Sequence, residues 1–579
     1  MQRLLCLLVV LVSAITISDA RSQPAGQRFV AIAFHDVVDN RDQLETDSVT
    51  STSLVQFFDW LKGTGWTAVS LDDIAAAARG VRPLPDKAIL VSFDDGYESL
   101  YTRVFPLLKV YRFPIVAALV GSWMESGPNG TVTPDGTVTY GDRIVPRSNF
   151  ISWAQAREMK ASGLVEFASH SYNLHRGVLA NPQGNMVPAA ITWQYDPATG
   201  RYEDDAQYRA RIRADLVRAR SQMAANLGHP PRALVWPFGR YSGPALEVAK
   251  QVGFTFALTL ESEPAYTSDL FAIHRFFPSQ NPSLGDVARN LRFEPDRPTT
   301  RRIACLTLDA LAAVGPGAAQ DEALGRIIEG LRTLGTNTVM IDANVALASP
   351  NAPLAAVYFP NQLLPLRSDL LSRATWQIRT RAGSDVYLHL PIEAAASAVG
   401  EAGLPTLFAD MLRHAASDGV AIDAPAPSPP GRIVVDRPWD IRARRAHIDP
   451  RSFDPRTRLA LDAYRAAAAI DPRQRLMLVM NDAKGPPDWA DIGLMPSAGD
   501  AATTGALAQR LKAEGWLQPE VAGRVAFALP PLPARQVEAL RAAQRRGASA
   551  FALCPQTPAL PPTAALSAAF SAATYPYRP

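Results

Sequence analysis

Short apolar runs alternate with segments of helical periodicity along the first half of the chain. The runs predicted to be buried strands are Phe29–Phe34, Ala88–Phe93, Ile115–Val120, Leu164–Ala168, Ala233–Trp236 and Phe254–Leu258. The helical segments between them are Leu54–Lys62, Leu100–Tyr111, Ser152–Ala161, Asp205–Leu227 and Pro244–Gln251. Strands that are separated by helices favour parallel pairing through crossover connections, so we predict an α/β domain over residues 27–290.

The same alternation restarts after a polar segment, residues 291–302, which has two prolines and no periodicity and is predicted to be a linker. The strands predicted beyond it are Ile303–Leu308, Asn337–Ile341, Val386–Leu390, Val420–Ile422, Leu476–Met480, Ile492–Met495, Val525–Leu529 and Ser549–Leu553. Helical patterns cover Asp321–Leu334, Ser368–Arg381, Pro455–Ala469 and Ala534–Arg545. Eight such units within about 275 residues are typical of an eight-stranded β/α barrel, which we predict over residues 303–579.

Length and charge agree with this two-domain organisation. A chain of 579 residues is longer than one hydrophobic core normally serves. Its net charge of +3 is too small to predict binding to nucleic acid.

Residues 1–20 have the pattern of a secretory signal peptide. Arg3 supplies the positive start, an apolar core runs from Leu4 to Ile15, and a small-residue cleavage pattern ends at Ala20. A buried first helix is the alternative. We expect export to the periplasm without a lipid anchor, because Cys6 lies inside the apolar core rather than at the cleavage site. No later stretch has 18 consecutive apolar residues, so no membrane span is predicted.

Two cysteines, Cys305 and Cys554, remain after such a cleavage. They could pair in an oxidising compartment, but two cysteines make neither a disulfide framework nor a thiolate metal site. We predict that they are buried as small apolar side chains.

Adjacent carboxylates, Asp94 and Asp95, follow the predicted strand Ala88–Phe93. Ligands bind at the carboxyl ends of strands in parallel α/β sheets, although an Asp-Asp-Gly sequence could also be a simple turn. His170 and His175 follow another predicted strand, in a chain that has only eight histidines. Two imidazoles and one carboxylate leave open positions on a metal, so the sequence predicts a catalytic metal site.

Two other histidines are candidates for a general acid. His35 ends the first predicted strand, whereas His274 comes after the last strand of the domain. Histidine can protonate a leaving amine at physiological pH. Asp36 could orient His35 or could solvate a turn, and His229 is predicted to be a loop residue.

Aromatic residues follow two of the same strands. Trp236 and Phe238 lie beside Gly239, which permits close backbone approach, and Tyr97 follows the adjacent carboxylates. These side chains could wall a sugar pocket, and the alternative is a rigid Pro-Gly turn with packed aromatics.

These blocks, in this order, resemble the polysaccharide deacetylases of carbohydrate esterase family 4. The blocks are Phe34-His35-Asp36, Ser92-Phe93-Asp94-Asp95-Gly96, Ser169-His170 with His175, and Trp236-Pro237-Phe238-Gly239. The family's usual His-x3-His motif is His-x4-His here. This spacing, together with the early histidine, is similar to the branch that deacetylates β-1,6-linked N-acetylglucosamine polymers in Gram-negative biofilms. Residues 356–361, 366–370 and 376–383 are similar to the C-terminal domain of that branch.

The resemblance implies a fold and a set of roles. The first domain would be a distorted β/α barrel. Asp95, His170 and His175 would hold a divalent metal (Zn, Fe, Co or Ni, with the identity open). Asp94 would be the general base, and His35 would be the acid in preference to His274.

The implied function is N-deacetylation of an exported N-acetylglucosamine polysaccharide, with the outer-membrane export machinery as a further expected partner. The alternatives are a deacetylase of peptidoglycan or chitin, a binding or export scaffold with an inactive site, and a bifunctional enzyme whose barrel also hydrolyses glycan.

The second domain carries weaker signals of chemistry. Family members place acidic residues after a barrel strand, and the matching place here has one carboxylate, Asp423, where glycoside hydrolysis usually needs two. Other acidic residues near predicted strand ends are Asp309, Asp342, Glu393 and Asp482. We therefore expect a glycan-binding platform first and a hydrolase second.

Overall fold

The structure is a computed structural model of the full chain. It describes residues 26–124, 136–140, 143–294, 300–349, 352–424, 433, 436–482, 484–554 and 564–571. The predicted signal peptide lies outside these residues. No helix in the described part of the chain has the length and apolar character needed to cross a membrane.

The first domain is built on a curled eight-stranded sheet. Its strands are β1 (Arg28–Phe34), β2 (Thr67–Ala68), β3 (Ala88–Phe93), β4 (Ile115–Leu119), β5 (Val165–Ser169), β6 (Ala233–Val235), β7 (Phe256–Leu258) and β8 (Ala265–Tyr266). The order is β7-β6-β5-β4-β3-β1-β8, with β2 also paired to β3. All neighbours are parallel except β1 and β8. Every residue of β3 is buried, as expected for a central parallel strand covered on both faces.

The two sides of this sheet are linked by the extended segment Ile273–Phe276. Ile273 pairs with Leu258 of β7, and Phe276 pairs with Ile32 of β1. Neighbouring side chains of an extended segment point to opposite sides, so the two residues between these pairs face different environments. The predicted distorted barrel is confirmed in this form, a curled sheet whose sides are joined by single bridges.

Seven helices belong to the described part of this domain. They are α1 (Ser51–Gly63), α2 (Leu71–Ala78), α3 (Phe105–Tyr111), α4 (Trp153–Ala161), α5 (Asp205–Leu227), α6 (Gly243–Val252) and α7 (Leu284–Leu291). The sequence explains the bounds of α5. Asp204 caps its first turn by accepting from the Gln207 N–H, and Gly228, with φ 85°, ends it in a left-handed conformation.

The second domain is a closed barrel of eight parallel strands in chain order. The strands are β9 (Arg301–Leu306), β10 (Thr338–Asp342), β11 (Asp385–Leu390), β12 (Gly419–Ala424), β13 (Arg475–Met480), β14 (Ile492–Met495), β15 (Val525–Ala528) and β16 (Ala550–Leu553). This confirms the predicted eight-stranded β/α barrel. The first strand begins at Arg301, so the last two residues of the predicted linker are part of the barrel.

The helices around this barrel are more numerous than the sequence patterns indicated. They are α8 (Asp309–Val314), α9 (Ala318–Leu334), α10 (Leu371–Gln377), α11 (Ile392–Val399), α12 (Leu404–His414), α13 (Pro438–Ala446), α14 (Pro455–Ile470), α15 (Ala501–Ala513), α16 (Pro533–Gln544) and α17 (Ala564–Ser571). The predicted helix Ser368–Arg381 begins later, at Leu371, and it changes from α-helix to a π-helical turn over Ile378–Ala382.

The cysteine prediction was wrong on pairing. Cys305 is buried, as expected, but it forms a disulfide with Cys554. The bond joins β9 to the end of β16, which are the first and last strands of the barrel and pair with each other. Sequence separation hid this contact, since barrel closure brings together two positions that are 249 residues apart in the chain.

We expect Cys554→Ser to lower the free energy of unfolding of the barrel by about 2–4 kcal/mol, because the disulfide restricts the unfolded chain. Urea unfolding of the full chain measures this loss. Wild-type protein treated with a reductant is the control and should lose a similar amount. No change on reduction would show that the bond contributes nothing to stability.

Polar contacts join the two domains. Arg413 of α12 forms a bidentate ion pair with Asp205 at the start of α5, with N–O distances of 3.0 and 2.9 Å. The Asn181 amide donates to the Ser372 hydroxyl at 3.0 Å, and the Tyr202 hydroxyl donates to the Asp369 carboxylate. The start of α5 is therefore fixed against the second barrel.

Candidate metal and catalytic site

Three predicted ligands meet at one edge of the curled sheet. The Nε2 atoms of His170 and His175 lie 3.4 and 3.3 Å from Oδ1 of Asp95. One potential ligand atom from each residue lies within 4.8 Å of the others. All three side chains are nearly inaccessible to solvent. The carboxyl ends of β3 and β5 therefore bring together the set that the sequence predicted.

The alternation of side chains along the strands explains why Asp94, His170 and His35 lie on the same face of the sheet. Leu90 of β3 and Ala168 of β5 pack in one buried cluster on the sheet. Side chains two residues apart lie on the same face, so Asp94 and His170 continue the faces that those residues begin. By the same rule His35 continues the face of Ala31, which belongs to the same cluster.

Backbone geometry turns Asp95 toward the two histidines. Asp95 has φ 69°, and Gly96 after it has φ 73°, so both residues occupy the left-handed region. This region disfavours residues with a Cβ atom and is strained for most of them. At Gly96 a Cβ would also lie 2.6 Å from the Leu119 side chain. Asp95 and Gly96 therefore do not form a simple surface turn, because their left-handed backbone directs the Asp95 carboxylate toward the two histidines.

Neighbouring groups hold the ligand side chains in place. Nδ1 of His170 lies 2.8 Å from the Val235 carbonyl oxygen and donates to it, which leaves the Nε2 lone pair free for a metal. The Tyr140 hydroxyl lies 3.0 Å from Oδ2 of Asp95 and 2.8 Å from the carboxylate of Asp47. Sequence reasoning missed Tyr140, because this residue comes from a short antiparallel strand pair that lies far along the chain from the predicted ligands.

The electrostatics also suit a metal. Burial lowers the pKa of His175 to about 4, although Asp95 opposes the shift, so this imidazole is neutral at physiological pH. Burial alone would raise the pKa of Asp95, but the three neighbouring histidines (His175, His170 and His35) lower it below its usual range. Oδ1 of Asp95 is buried and has no hydrogen-bond partner. A neutral imidazole and an orphaned carboxylate oxygen are the donor types that a divalent metal binds.

Asp94 is held by a buried arginine. The Arg275 guanidinium donates to Oδ1 and Oδ2 of Asp94 at 2.7 and 2.9 Å, and it is itself inaccessible to solvent. It also donates to the Ser92 hydroxyl and to the Thr259 carbonyl oxygen. Burial alone would raise the pKa of Asp94, but Arg275 and the nearby histidines lower it.

Arg275 is a residue that the sequence reasoning missed. The sequence feature that could have identified it is the position of a charged side chain in an apolar segment, between Ile273 and Phe276. Such a residue needs a buried partner of opposite charge.

His35 lies beside Asp94. Its Nε2 is 4.0 Å from Oδ2 of Asp94, and its ring packs against Phe277 with 4.7 Å between centroids. Nδ1 of His35 is buried without a hydrogen-bond partner. Asp36 does not orient the imidazole. Its carboxylate instead accepts from the Ser99 hydroxyl and from the Val37 N–H.

His274 points to the opposite side from Arg275. Its Nδ1 lies 3.0 Å from the Thr259 hydroxyl and 3.2 Å from the Glu261 carboxylate. Glu261 in turn lies 3.9 Å from Arg473 of the second barrel. His274 therefore belongs to a charged network between the domains. The other sequence candidate, His229, is exposed at the end of α5, in the loop where it was expected.

The three aromatic candidates have different surroundings. Phe238 has φ 58° and is 42% exposed, and its ring lies 4.3 Å from that of His175. Tyr97 is half-buried, stacks on Phe150 and donates to Asp47. Trp236 is fully buried, with 0% exposure, so in this structure it has no surface to offer a sugar. Phe238 is the aromatic side chain of this block that a ligand could reach.

A second polar cluster lies at the carboxyl ends of three barrel strands. Nδ1 of His389 lies 2.7 Å from Asp342 and Nε2 lies 3.3 Å from Asp423. Asp342 ends β10, while His389 and Asp423 lie near the ends of β11 and β12. The carboxyl face is where barrel enzymes place their sites. Sequence reasoning named both carboxylates but missed the histidine between them.

The other acidic candidates of the barrel have ordinary partners. Asp309 accepts from the Tyr358 hydroxyl at 3.0 Å. Glu393 forms an exposed ion pair with Arg456, and Asp482 pairs with Lys484.

The pKa of His389 gives a test of this cluster. Burial alone would lower it, but hydrogen bonds to Asp342 and Asp423 raise it to about 10. A histidine whose pKa is raised by folding stabilises the native state below the ordinary value of 6.5, and that stability is lost as the pH rises toward 10. We expect the free energy of unfolding to fall more steeply between pH 6.5 and 9.5 in wild type than in His389→Gln. Urea unfolding at several pH values measures both slopes, and equal slopes would contradict the assignment.

Comparisons with known proteins agree with the geometry. Residues 81–257 match the family model described as polysaccharide deacetylase, and residues 315–402 match one described as hypothetical glycosyl hydrolase family 13. Poly-β-1,6-N-acetyl-D-glucosamine N-deacetylase of Escherichia coli (strain K12) is 37% identical over 367 residues. That alignment covers 63% of this chain and 53% of the relative, so the chain spans about half the length of the curated relative.

Two solved structures are also similar to this chain. The deacetylase domain of BpsB from Bordetella bronchiseptica is 42% identical with a TM-score of 0.38, and the match covers 43% of this chain and 95% of that one. A de-N-acetylase from Aggregatibacter actinomycetemcomitans is 34% identical with a TM-score of 0.42, and the match covers 46% and 100% of the two chains. The first domain is thus similar to polysaccharide deacetylases, through the family model that matches residues 81–257 and through the curated relative from Escherichia coli.

Proposed function

We propose that this protein is a metal-dependent N-deacetylase of β-1,6-linked poly-N-acetylglucosamine. The observation that carries the proposal is that a possible set of metal ligands lies next to a buried carboxylate that could act as a base. Asp95, His170 and His175 form a possible three-ligand set, and Asp94, whose carboxylate is bound by Arg275, directly precedes Asp95 in the chain. The family match and the relatives named above support the reaction class and the substrate class.

Asp95, His170 and His175 would hold the metal, whose identity we leave open among Zn, Fe, Co and Ni. A divalent metal bound there would act as a Lewis acid, which polarises a carbonyl and acidifies water. Three protein ligands leave room for water and substrate, as catalytic sites require.

Asp94 would take a proton from the attacking water. Arg275 uses one acceptor position on each carboxylate oxygen, and each oxygen has a second position that can face the water. The arginine also keeps the carboxylate ionised and fixed in direction. A base must be deprotonated and correctly oriented before it can act.

His35 would donate the proton that the leaving glucosamine nitrogen needs. It lies on the same side of the sheet as Asp94 and close to it, whereas His274 faces the charged network between the domains. Amide cleavage stalls if the amine cannot leave as a neutral group, so this step needs a positioned acid.

The polymer would pass along the exposed ring of Phe238, which lies beside His175. The second barrel would bind glycan, since the carboxylates of Asp342 and Asp423 at its carboxyl face suit the amino groups that deacetylation creates. We place this activity in the periplasm, near the outer-membrane export machinery. The predicted signal peptide favours export, and the Cys305–Cys554 disulfide suits an oxidising compartment.

Acetate release from defined oligomers tests the substrate class. The full chain should deacetylate β-1,6-linked N-acetylglucosamine pentamers faster than β-1,4-linked pentamers of the same length. Preference for β-1,4-linked oligomers would favour the chitin or peptidoglycan alternative. Chain shortening, followed by mass spectrometry in the same samples, would reveal a hydrolase in the barrel.

The choice of acid gives a further prediction. We expect His35→Ala to lower kcat by roughly 10²-fold or more while the bound metal stays unchanged, because the general acid is lost. His274→Ala is the matched control, since it removes an imidazole from the same domain, and it should retain most of its kcat. An inactive His274 variant beside an active His35 variant would reverse the assignment.

A further inference from the structure

The loop that carries two of the proposed ligands, residues 170–175, is irregular. Ser171 has φ 68°, in the left-handed region. The Ser171 hydroxyl accepts from the Leu174 N–H at 3.0 Å, and the Ser171 N–H donates to Ser169 at 3.1 Å. A loop without strand or helix hydrogen bonds depends on other groups to keep its shape.

Asp215 of helix α5 binds the middle of residues 170–175, which we call the metal loop. Oδ1 of Asp215 accepts from the Tyr172 N–H at 2.8 Å, and Oδ2 accepts from the Asn173 N–H at 2.7 Å. Two successive N–H groups thus point at one carboxylate, an arrangement that favours negative charge. These two residues lie between His170 and His175, so the carboxylate fixes the backbone that sets the distance between the imidazoles.

Asp215 itself stands on a rigid support. It lies in the middle of α5, the 23-residue helix capped by Asp204 at its start. The same helix contacts the loop directly once more, through Arg218, and is linked to it a further time through Gly121. The Arg218 guanidinium lies 3.8 Å from the Tyr172 ring centroid, and the Gln222 amide donates to the Gly121 carbonyl at 2.9 Å, while the Gly121 N–H binds Ser171.

We propose that Asp215 is a positioning residue for the metal site, which holds the metal loop in the shape that brings His170 and His175 to one ion. This inference rests on the proposed metal site. An asparagine at this position would offer one acceptor oxygen and one N–H₂ group, so one backbone N–H would face a donor instead of an acceptor. The loop would then lose a charge-assisted hydrogen bond, although neither ligand is altered.

Binding of Co²⁺ by the full, chelator-stripped chain tests this inference without measuring activity. A titration followed by the visible absorption of Co²⁺ gives both the Kd and the geometry of the site. We expect Asp215→Asn to raise the Kd at least 10-fold and to change the absorption bands, as loss of an outer partner of a ligand does. Asp215→Glu keeps both acceptor oxygens, so its Kd should lie between those of wild type and Asp215→Asn.

Asp462→Asn, the same substitution on helix α14 of the second barrel, is the control and should bind Co²⁺ like wild type. Circular dichroism and thermal unfolding report whether each variant is folded. A folded Asp215→Asn protein with the wild-type Kd and spectrum would overturn the inference. A wild type that binds no Co²⁺ would instead overturn the proposed metal site, and this inference with it.

Discussion

Replacing Asp94 with asparagine is expected to lower kcat by roughly 10²- to 10⁴-fold, the loss typical of a missing general base. The amide keeps the size of the carboxylate, and its oxygen can still accept one of the two hydrogen bonds from Arg275. It cannot take a proton from water at physiological pH. Because Asp94 is not one of the three proposed ligands, the bound metal should stay at the wild-type level. Steady-state kinetics of acetate release and metal analysis of the same preparation measure both quantities.

The neighbouring residue supplies the comparison for this prediction. Asp95→Asn changes the adjacent carboxylate in the same chemical way, but it should lower metal content as well as rate. Parallel loss of metal and activity in Asp94→Asn would make Asp94 a ligand and would contradict the division of roles between the two residues.

Removal of a ligand is the second large effect. His170→Ala and His175→Ala are each expected to lose most of the bound metal and nearly all activity, because two remaining ligands do not complete a catalytic site. Asp95→Ala should behave in the same way. Metal content after dialysis and kcat at saturating added metal measure the two losses separately.

His229 offers a control of the same residue type, since it is exposed in the loop that follows α5. His229→Ala should keep wild-type metal content and rate. A His170 variant that binds a full equivalent of metal and turns over normally would show that the ligand set is misassigned.

Local patterns were sufficient to predict most strands of the sheet and the barrel, although not the two-residue strands β2 and β8, and to predict the residues at the strand ends. Ala88–Phe93 and Ile492–Met495 have the predicted bounds, because fully buried parallel strands are continuous apolar runs. The carboxyl end of each strand then places Asp95 and His170 at one edge of the sheet. Short-range sequence patterns were therefore enough to identify the residues that we propose as metal ligands.

Contacts between distant parts of the chain were not predictable in this way. Arg275 reaches Asp94 across 181 residues, through an extended segment that has no strand pattern of its own. Barrel closure joins Cys305 to Cys554, and neighbouring strands bring His389 between Asp342 and Asp423. Each contact depends on which elements become neighbours in three dimensions, and hydrophobic periodicity does not encode that choice.

The different burial of two neighbouring aromatic residues was also not predictable from the sequence. Trp236 and Phe238 are two positions apart, yet the first is fully buried and the second is exposed. The left-handed conformation of Phe238 turns its side chain out of the core, and a sequence does not reveal this change of direction.

Acetate release from a β-1,6-linked N-acetylglucosamine pentamer, measured before and after metal removal, tests the central claim most directly. The account predicts that the chelator-stripped protein is inactive and that activity returns in proportion to added divalent metal, up to one equivalent per chain. Full activity in a protein shown to contain no metal would contradict it, as would a metal-loaded protein that releases no acetate from this substrate.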